Sequence, residues 1–268
     1  MLYTVFALIL SAMHLMYSAW CMMKHFWIYI VRQYKSALKR YSGEEELKII
    51  LKSVKRFNKL PAHLAIIIVN EKISYNDLAN IIIWCVAARM SCVSFYDHTG
   101  VLKKNEMKLH SALLEKWKEP PVIWGESPQK NGIVKENGYS NGIPSNADLS
   151  LREWSALQVL LLSPNGGRQA FTAATRHICE SVQSGSLAVS SIDEDFMERA
   201  LRLGSKEKPV MDPELAVWCG KYCCNCGFLP WHIRVTQFLH LQTHHDISLK
   251  DFISLLEKYS KCEQRFGK

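Results

Sequence analysis

Residues 63–71 read His63-Leu64-Ala65-Ile66-Ile67-Ile68-Val69-Asn70-Glu71, and this run decides the fold. It carries the strongest strand signal in the chain. The hydrophobicity is continuous rather than alternating, which argues burial on both faces, as in a parallel sheet. Pro61 stops whatever precedes it. Ser74 with Asp77 three residues on reads as a capping box, starting a helix to about Met90. That helix is apolar nearly all round (Leu78, Ile81, Ile82, Trp84, Val86), so it is expected to be buried. Cys92-Val93-Ser94-Phe95-Tyr96 then reads as a second strand, and strand, helix and strand in about 35 residues make a βαβ unit.

The same alternation continues outward. A helix is expected over Asn105–Lys118, then a disordered insert over 119–150, dense in Pro, Gly, Asn and Ser. Ser155–Leu162 reads as a third strand, and Ser163-Pro164 opens a helix to about Gln183. Ser191 with Glu194 is expected to cap a short helix, and Glu214–Trp218 to form a further strand. Another element begins at Gly227, and Ser248 with Asp251 caps a last helix to about Gln264. The expected fold is α/β, a mainly parallel sheet flanked by helices.

A transmembrane helix precedes it. Leu2–Met23 contains only His14 as a group titrating near neutrality, and its 22 residues reach roughly 33 Å, enough to cross the hydrocarbon core. Trp20, Trp27 and Tyr29 stand where interfacial aromatics belong. Lys24, Arg32, Lys35, Lys39 and Arg40 follow, so the positive-inside rule places the rest of the chain in the cytosol. A cleaved signal peptide needs a basic start and a shorter apolar core, and this chain has neither. The expected organisation is an anchor over 1–31, a basic juxtamembrane helix or linker over 32–60, and one domain over 61–268. The net charge of +8 favours anionic partners, but no nucleic-acid-binding signature accompanies it. The nine cysteines lack the spacing of a disulfide framework, and no Asn-x-Ser/Thr sequon occurs. Both suit a reducing compartment.

The run 63–71 resembles the first strand of the cis-prenyltransferases, the undecaprenyl and dehydrodolichyl diphosphate synthases, which read His-x-x-x-x-x-Asp-Gly-Asn there. Further stretches carry the likeness in order: Leu60-Pro61, Trp84-Cys85, Val93-Ser94-x-Tyr96-Asp97-His98, Leu162-Ser163-Pro164, Gly227–Arg234 and Cys262-Glu263-Gln264-Arg265-x-Gly267. They point to the noncatalytic branch of the eukaryotic enzymes. The family's Asp, which orients the magnesium diphosphate, is Val69 here, and its Gly is Asn70. Trp218 stands where the family places a phosphate-binding arginine, and Asp97-His98-Thr99-Gly100 replaces a Ser-x-Glu-Asn pattern. Three segments have lost the polar groups of the site, so turnover by this chain alone is not expected.

What the resemblance leaves intact is the tail. Arg265, Phe266 and Gly267 are implied to reach a partner's pocket, Arg265 offering a planar fork to phosphate oxygens and Gly267 an approachable backbone. In that role Arg265 and Gly267 are the catalytic contribution, made in trans, and the three residues help bind substrate. The resemblance further implies a catalytic cis-prenyltransferase partner acting on isopentenyl and farnesyl diphosphate, and magnesium held mainly by that partner. It also implies a heterodimer contact through Phe228, Leu229 and Trp231, and a place on the endoplasmic reticulum membrane. The product would be the polyprenyl precursor of dolichol used in protein glycosylation. The alternative is a membrane-anchored receptor or scaffold that keeps the fold for binding only.

Other candidates rank lower. Cys219, Cys223, Cys224 and Cys226 form one short run rather than two separated pairs, so no metal site is assigned to them. Asp97 and His98 are adjacent on a strand and point to opposite faces. His63 is expected to be packed, and His244 and His245 to be solvent-exposed.

Overall fold

The computed structural model describes residues 2–38, 43–125, 156–201 and 211–263. Two compact units divide the chain, Met1–Glu46 and Leu47–Lys268. The first consists mainly of α1 (Leu2–Leu38), in which Tyr3–Lys24 has a mean hydropathy of 1.6 and buries nothing. Its length and composition suit a membrane span. The helix does not break at residue 31 but runs on to Leu38.

The second unit begins within α2 (Gly43–Val54) and is built on a six-stranded sheet. In chain order come β1 (His63–Ile68), α3 (Tyr75–Ala87), β2 (Cys92–Asp97), α4 (Val101–Lys104), α5 (Glu106–Lys116), β3 (Val122–Trp124) and β4 (Leu157–Leu162). They continue with α6 (Arg168–Gln183), α7 (Glu194–Ala200), β5 (Leu215–Cys219), β6 (Gln237–Leu241) and α8 (Leu249–Ser260). The strand order is β3-β4-β2-β1-β5-β6, and every pairing is parallel. The chain first winds to one side of β1 and then crosses to the other, so the switch point lies between β1 and β5. Parallel α/β sheets bind ligands outside the carboxyl ends of their strands at such a point.

β1 is buried along its whole length. Its pleat sends Leu64, Ile66 and Ile68 into the main core with Trp84 of α3, Leu109 and Leu113 of α5, Phe252 and Tyr259 of α8, and Ile50 of α2. Trp84 and Phe252 meet at 5.4 Å between ring centres. The opposite face carries Ala65, Ile67 and Val69, which pack with Tyr96, Ala216, Phe228 and Leu229. Burying each large aliphatic chain contributes about 1.5–3 kcal/mol, so β1 needs no polar anchor in its middle.

The structure corrects several boundaries. β3 lies inside the stretch read as an insert, three residues long and directly after Pro120-Pro121, and it pairs with β4. The remainder of that insert lies outside the described residues. Gly227 opens no element: Cys226, Gly227 and Leu229 all have positive φ, which bends the chain into a loop, and the last strand is β6. The cap of α7 is Asp193, whose carboxylate accepts from the Phe196 N–H at 2.7 Å, not Ser191. The Ser248/Asp251 capping box of α8 is present as expected.

Candidate functional site in the strand ends

The carboxyl ends of β1, β2 and β5 meet at the switch point, and their residues determine what the site can hold. Val69 follows β1, is 2 % exposed, and donates its N–H to the Cys219 carbonyl at 2.8 Å. Asn70 has φ 53°, the left-handed conformation that Asn tolerates better than other residues with a side chain. Asn70 thus holds, at the position the family fills with Gly, a conformation that glycine adopts freely. Across from it, Gly220 has φ +135°, and a Cβ there would lie 2.3 Å from the Val69 carbonyl oxygen. The two strand ends are in direct backbone contact, continuing the β1–β5 pairing, and leave no room for a side chain at position 220.

The carboxylates nearby are already committed. Glu71 accepts from the His244 ring at 2.8 Å and from the His244 N–H at 3.2 Å. Burial pushes its carboxyl up, but the bonds from His244 and Thr243 outweigh this and hold it below the ordinary value. Asp97, 2 % exposed, accepts from the Thr99 hydroxyl, the Thr99 N–H at 2.9 Å and the Leu102 N–H at 3.2 Å, and so fastens α4 to the end of β2. Burial raises its carboxyl too, and the same bonds bring it below its usual value. Neither group is open to a magnesium ion, and Val69 offers no oxygen in its side chain. The described residues at these strand ends do not fit that metal.

Apolar side chains fill the rest. Trp218 stacks on Phe238 with centroids 4.7 Å apart and donates its indole N–H to the Asn225 side-chain oxygen at 2.8 Å. Tyr96 donates to the Cys226 carbonyl at 2.6 Å and meets Phe228 edge-on at 5.4 Å. Burial drives the Tyr96 phenol up to about 12. Lys221 is exposed beside the Tyr222 ring. A cleft of about 220 Å³ opens further along, between the end of β4, the start of α6 and Trp231. Among the described residues at the strand ends, no set of cationic donors gathers around one anion.

Phe228 and Leu229, expected at a partner face, are each 1 % exposed and belong to the core of their own chain. The loop turns them inward because its positive-φ residues reverse the backbone. Trp231 keeps some exposure, lies over Phe171 at 6.3 Å, and donates to Glu198 at 2.9 Å. Arg265, Phe266 and Gly267 lie outside the described residues, which end three residues past α8 at Glu263. Among the described residues no three cysteine sulfurs converge within metal reach. His244 is fully buried rather than exposed, because it packs beneath Glu71 and Ser74. His63 is also fully buried, with Nδ1 donating to the Met211 carbonyl at 2.6 Å and Nε2 accepting from the Ser94 hydroxyl at 2.9 Å.

A parallel six-stranded sheet flanked by helices, with its switch point between β1 and β5, is the architecture of a cis-prenyltransferase domain, here with apolar side chains at the strand ends. The solved lavandulyl diphosphate synthase of Lavandula x intermedia shares the fold, with a TM-score of 0.54 and 18 % identity over 78 % of this chain and 99 % of that one. No family profile matches the chain. It is 33 % identical over 213 residues to the dehydrodolichyl diphosphate synthase complex subunit NUS1 of Homo sapiens, covering 78 % of this chain and 68 % of that protein. It is 22 % identical over 267 residues to the subunit nus1 of Schizosaccharomyces pombe, covering 98 % and 97 %. The chain belongs to this family of dehydrodolichyl diphosphate synthase complex subunits.

Proposed function

We propose that this chain is the noncatalytic, membrane-anchored subunit of a dehydrodolichyl diphosphate synthase complex. One observation carries the reading: Val69, at the place of the family's catalytic Asp, is buried in an apolar cluster and packed against Gly220. A partner chain supplies the intact pocket, binds magnesium and the isopentenyl and farnesyl diphosphates, and condenses them. This chain adds the tail Arg265-Phe266-Gly267 to the partner's site. Arg265 suits that role because its fork binds two phosphate oxygens at once. α1 keeps the complex at the endoplasmic reticulum membrane, where an insoluble polyprenol product accumulates for glycosylation, with the folded domain in the cytosol.

The test is incorporation of isopentenyl diphosphate by the chain alone, by the chain with its catalytic partner, and by that pair carrying Arg265→Ala. The expected pattern is silence alone, strong activity together, and a loss of about a hundredfold or more with Arg265→Ala, as for a group that stabilises developing phosphate charge. Unchanged activity with Arg265→Ala refutes the shared site and leaves a binding scaffold.

A further inference from the structure

Two side-chain clusters among the described residues bring three ligand-type atoms within 4.8 Å of one another: Glu71 with His244 and His245, and Glu198 with Asp212 and His232. Their histidine tautomers separate them. In the first, His244 Nε2 accepts the Ser74 N–H at 3.0 Å, so its proton sits on Nδ1 and points at Glu71. His244, the buried imidazole of that cluster, therefore has no lone pair left for a cation.

The second cluster is the reverse. His232 Nε2 faces the Leu201 carbonyl at 2.9 Å, and a carbonyl only accepts, so Nε2 carries the proton. Nδ1 then presents its lone pair to Asp212 Oδ1 at 2.8 Å. A lone pair against a carboxylate needs a positive species between them, a second proton or a metal ion. Donation of the remote ring N–H to a backbone carbonyl is the usual way a protein orients a metal-binding histidine. His232 is 4 % exposed, while Asp212 and Glu198 lie partly open, giving a route for entry. Glu198 Oε2 receives the Trp231 N–H at 2.9 Å and the Arg234 guanidinium at 3.1 Å, which aim the carboxylate and leave its other oxygen for a ligand. Arg234 also pairs with Glu194. Arg234 is shared by Glu194 and Glu198 while Asp212 faces His232, so these groups hold two more carboxylates than arginines, a charge that one divalent cation would neutralise.

We infer that His232, Asp212 and Glu198 form a binding site for a divalent ion of the zinc class. One imidazole with two carboxylates suits such an ion better than magnesium, and ligand bonds of about 2.0–2.2 Å require only that Asp212 swing slightly away from Nδ1. The ion ties the end of α7, the entry to β5 and the loop before β6 together. It is a structural site, apart from the strand ends.

The experiment uses the full chain in detergent with its exposed thiols alkylated, so that Cys223 and Cys224 take no part. Zinc binding is measured by equilibrium dialysis and thermal unfolding is followed with zinc, with magnesium and with a chelator. One zinc per chain is expected, with melting raised by zinc alone and lowered by chelation. Asp212→Asn and Glu198→Gln, which keep shape and fold, should each weaken zinc by at least about tenfold, whereas His245→Ala should leave it unchanged. No zinc bound at micromolar free metal, with melting indifferent to the chelator, would show a protonated histidine–aspartate pair and overturn the site. Equal binding by the Asp212→Asn and Glu198→Gln variants would overturn it as well.

Discussion

At the scale of single residues, the replacements at the strand ends are packed into place rather than merely lacking polarity. Val69 belongs to an apolar cluster, so restoring the acid should harm the fold and bring no turnover. Val69→Asp is expected to cost ~3 kcal/mol or more, because the new carboxylate would be buried without a partner. Urea unfolding checks the cost, and isopentenyl diphosphate incorporation by the isolated variant checks for turnover; any activity would show that the site was one residue from function. His63 gives a pH-dependent counterpart. Burial lowers its pKa from 6.5 to about 4, outweighing the bond to the Met211 carbonyl, which favours the protonated ring. Above 6.5 both folded and unfolded forms are neutral and stability is complete. As pH falls from 6.5 toward 4 only the unfolded form takes up the proton, so stability declines by up to ~3 kcal/mol. Replacing the ring with His63→Gln should flatten that slope in urea titrations; an unchanged slope would assign the effect to other groups. The Val69 substitution was legible because it breaks a short local pattern. The Glu71–His244 pair was not, since it joins residues 173 apart in sequence through a β-sheet crossover that no local spacing reveals.

Among the elements, what could be read in advance followed from periodicity and caps. The run of β1, the buried helix α3 and the capping box of α8 each rest on a local rule, and each is present. β3 and β6 were missed for physical reasons. β3 is only three residues long after two prolines, and β6 is an edge strand of half-buried residues whose pattern is weaker than that of a central strand. The contact between the ends of β1 and β5 also depends on register, which sets Ile68 beside Cys219 and brings Gly220 against Val69. Gly220→Ala therefore meets both a carbonyl oxygen and an unfavourable φ. A loss of about 2 kcal/mol or more is expected, within the range for enforced backbone strain plus displacement of a packed strand end. Thermal unfolding of the variant measures it. A neutral result would mean that the two strand ends are free to separate.

For the whole molecule, function depends on which side of the membrane the folded unit occupies. That was legible only as a charge bias: Lys24, Arg32 and Lys35 follow the apolar segment. Orientation is set by basic residues close to the ends of a span, not by the folded domain beyond it. In sealed microsomes, added protease should therefore digest the domain beginning at Leu47, while a fragment containing Tyr3–Lys24 remains protected. A domain resistant until detergent is added would place it in the lumen and remove it from cytosolic diphosphates. The charge argument is tested separately by neutralising Lys24, Arg32 and Lys35 and adding lysines before the span. Because that exchange leaves the folded unit untouched, it should raise the protease-protected fraction while the pair's activity, measured after solubilisation, stays unchanged. A protected fraction that does not move would show that something other than the flanking charges orients the chain, the folding of the Leu47–Lys268 unit before insertion being the leading cause.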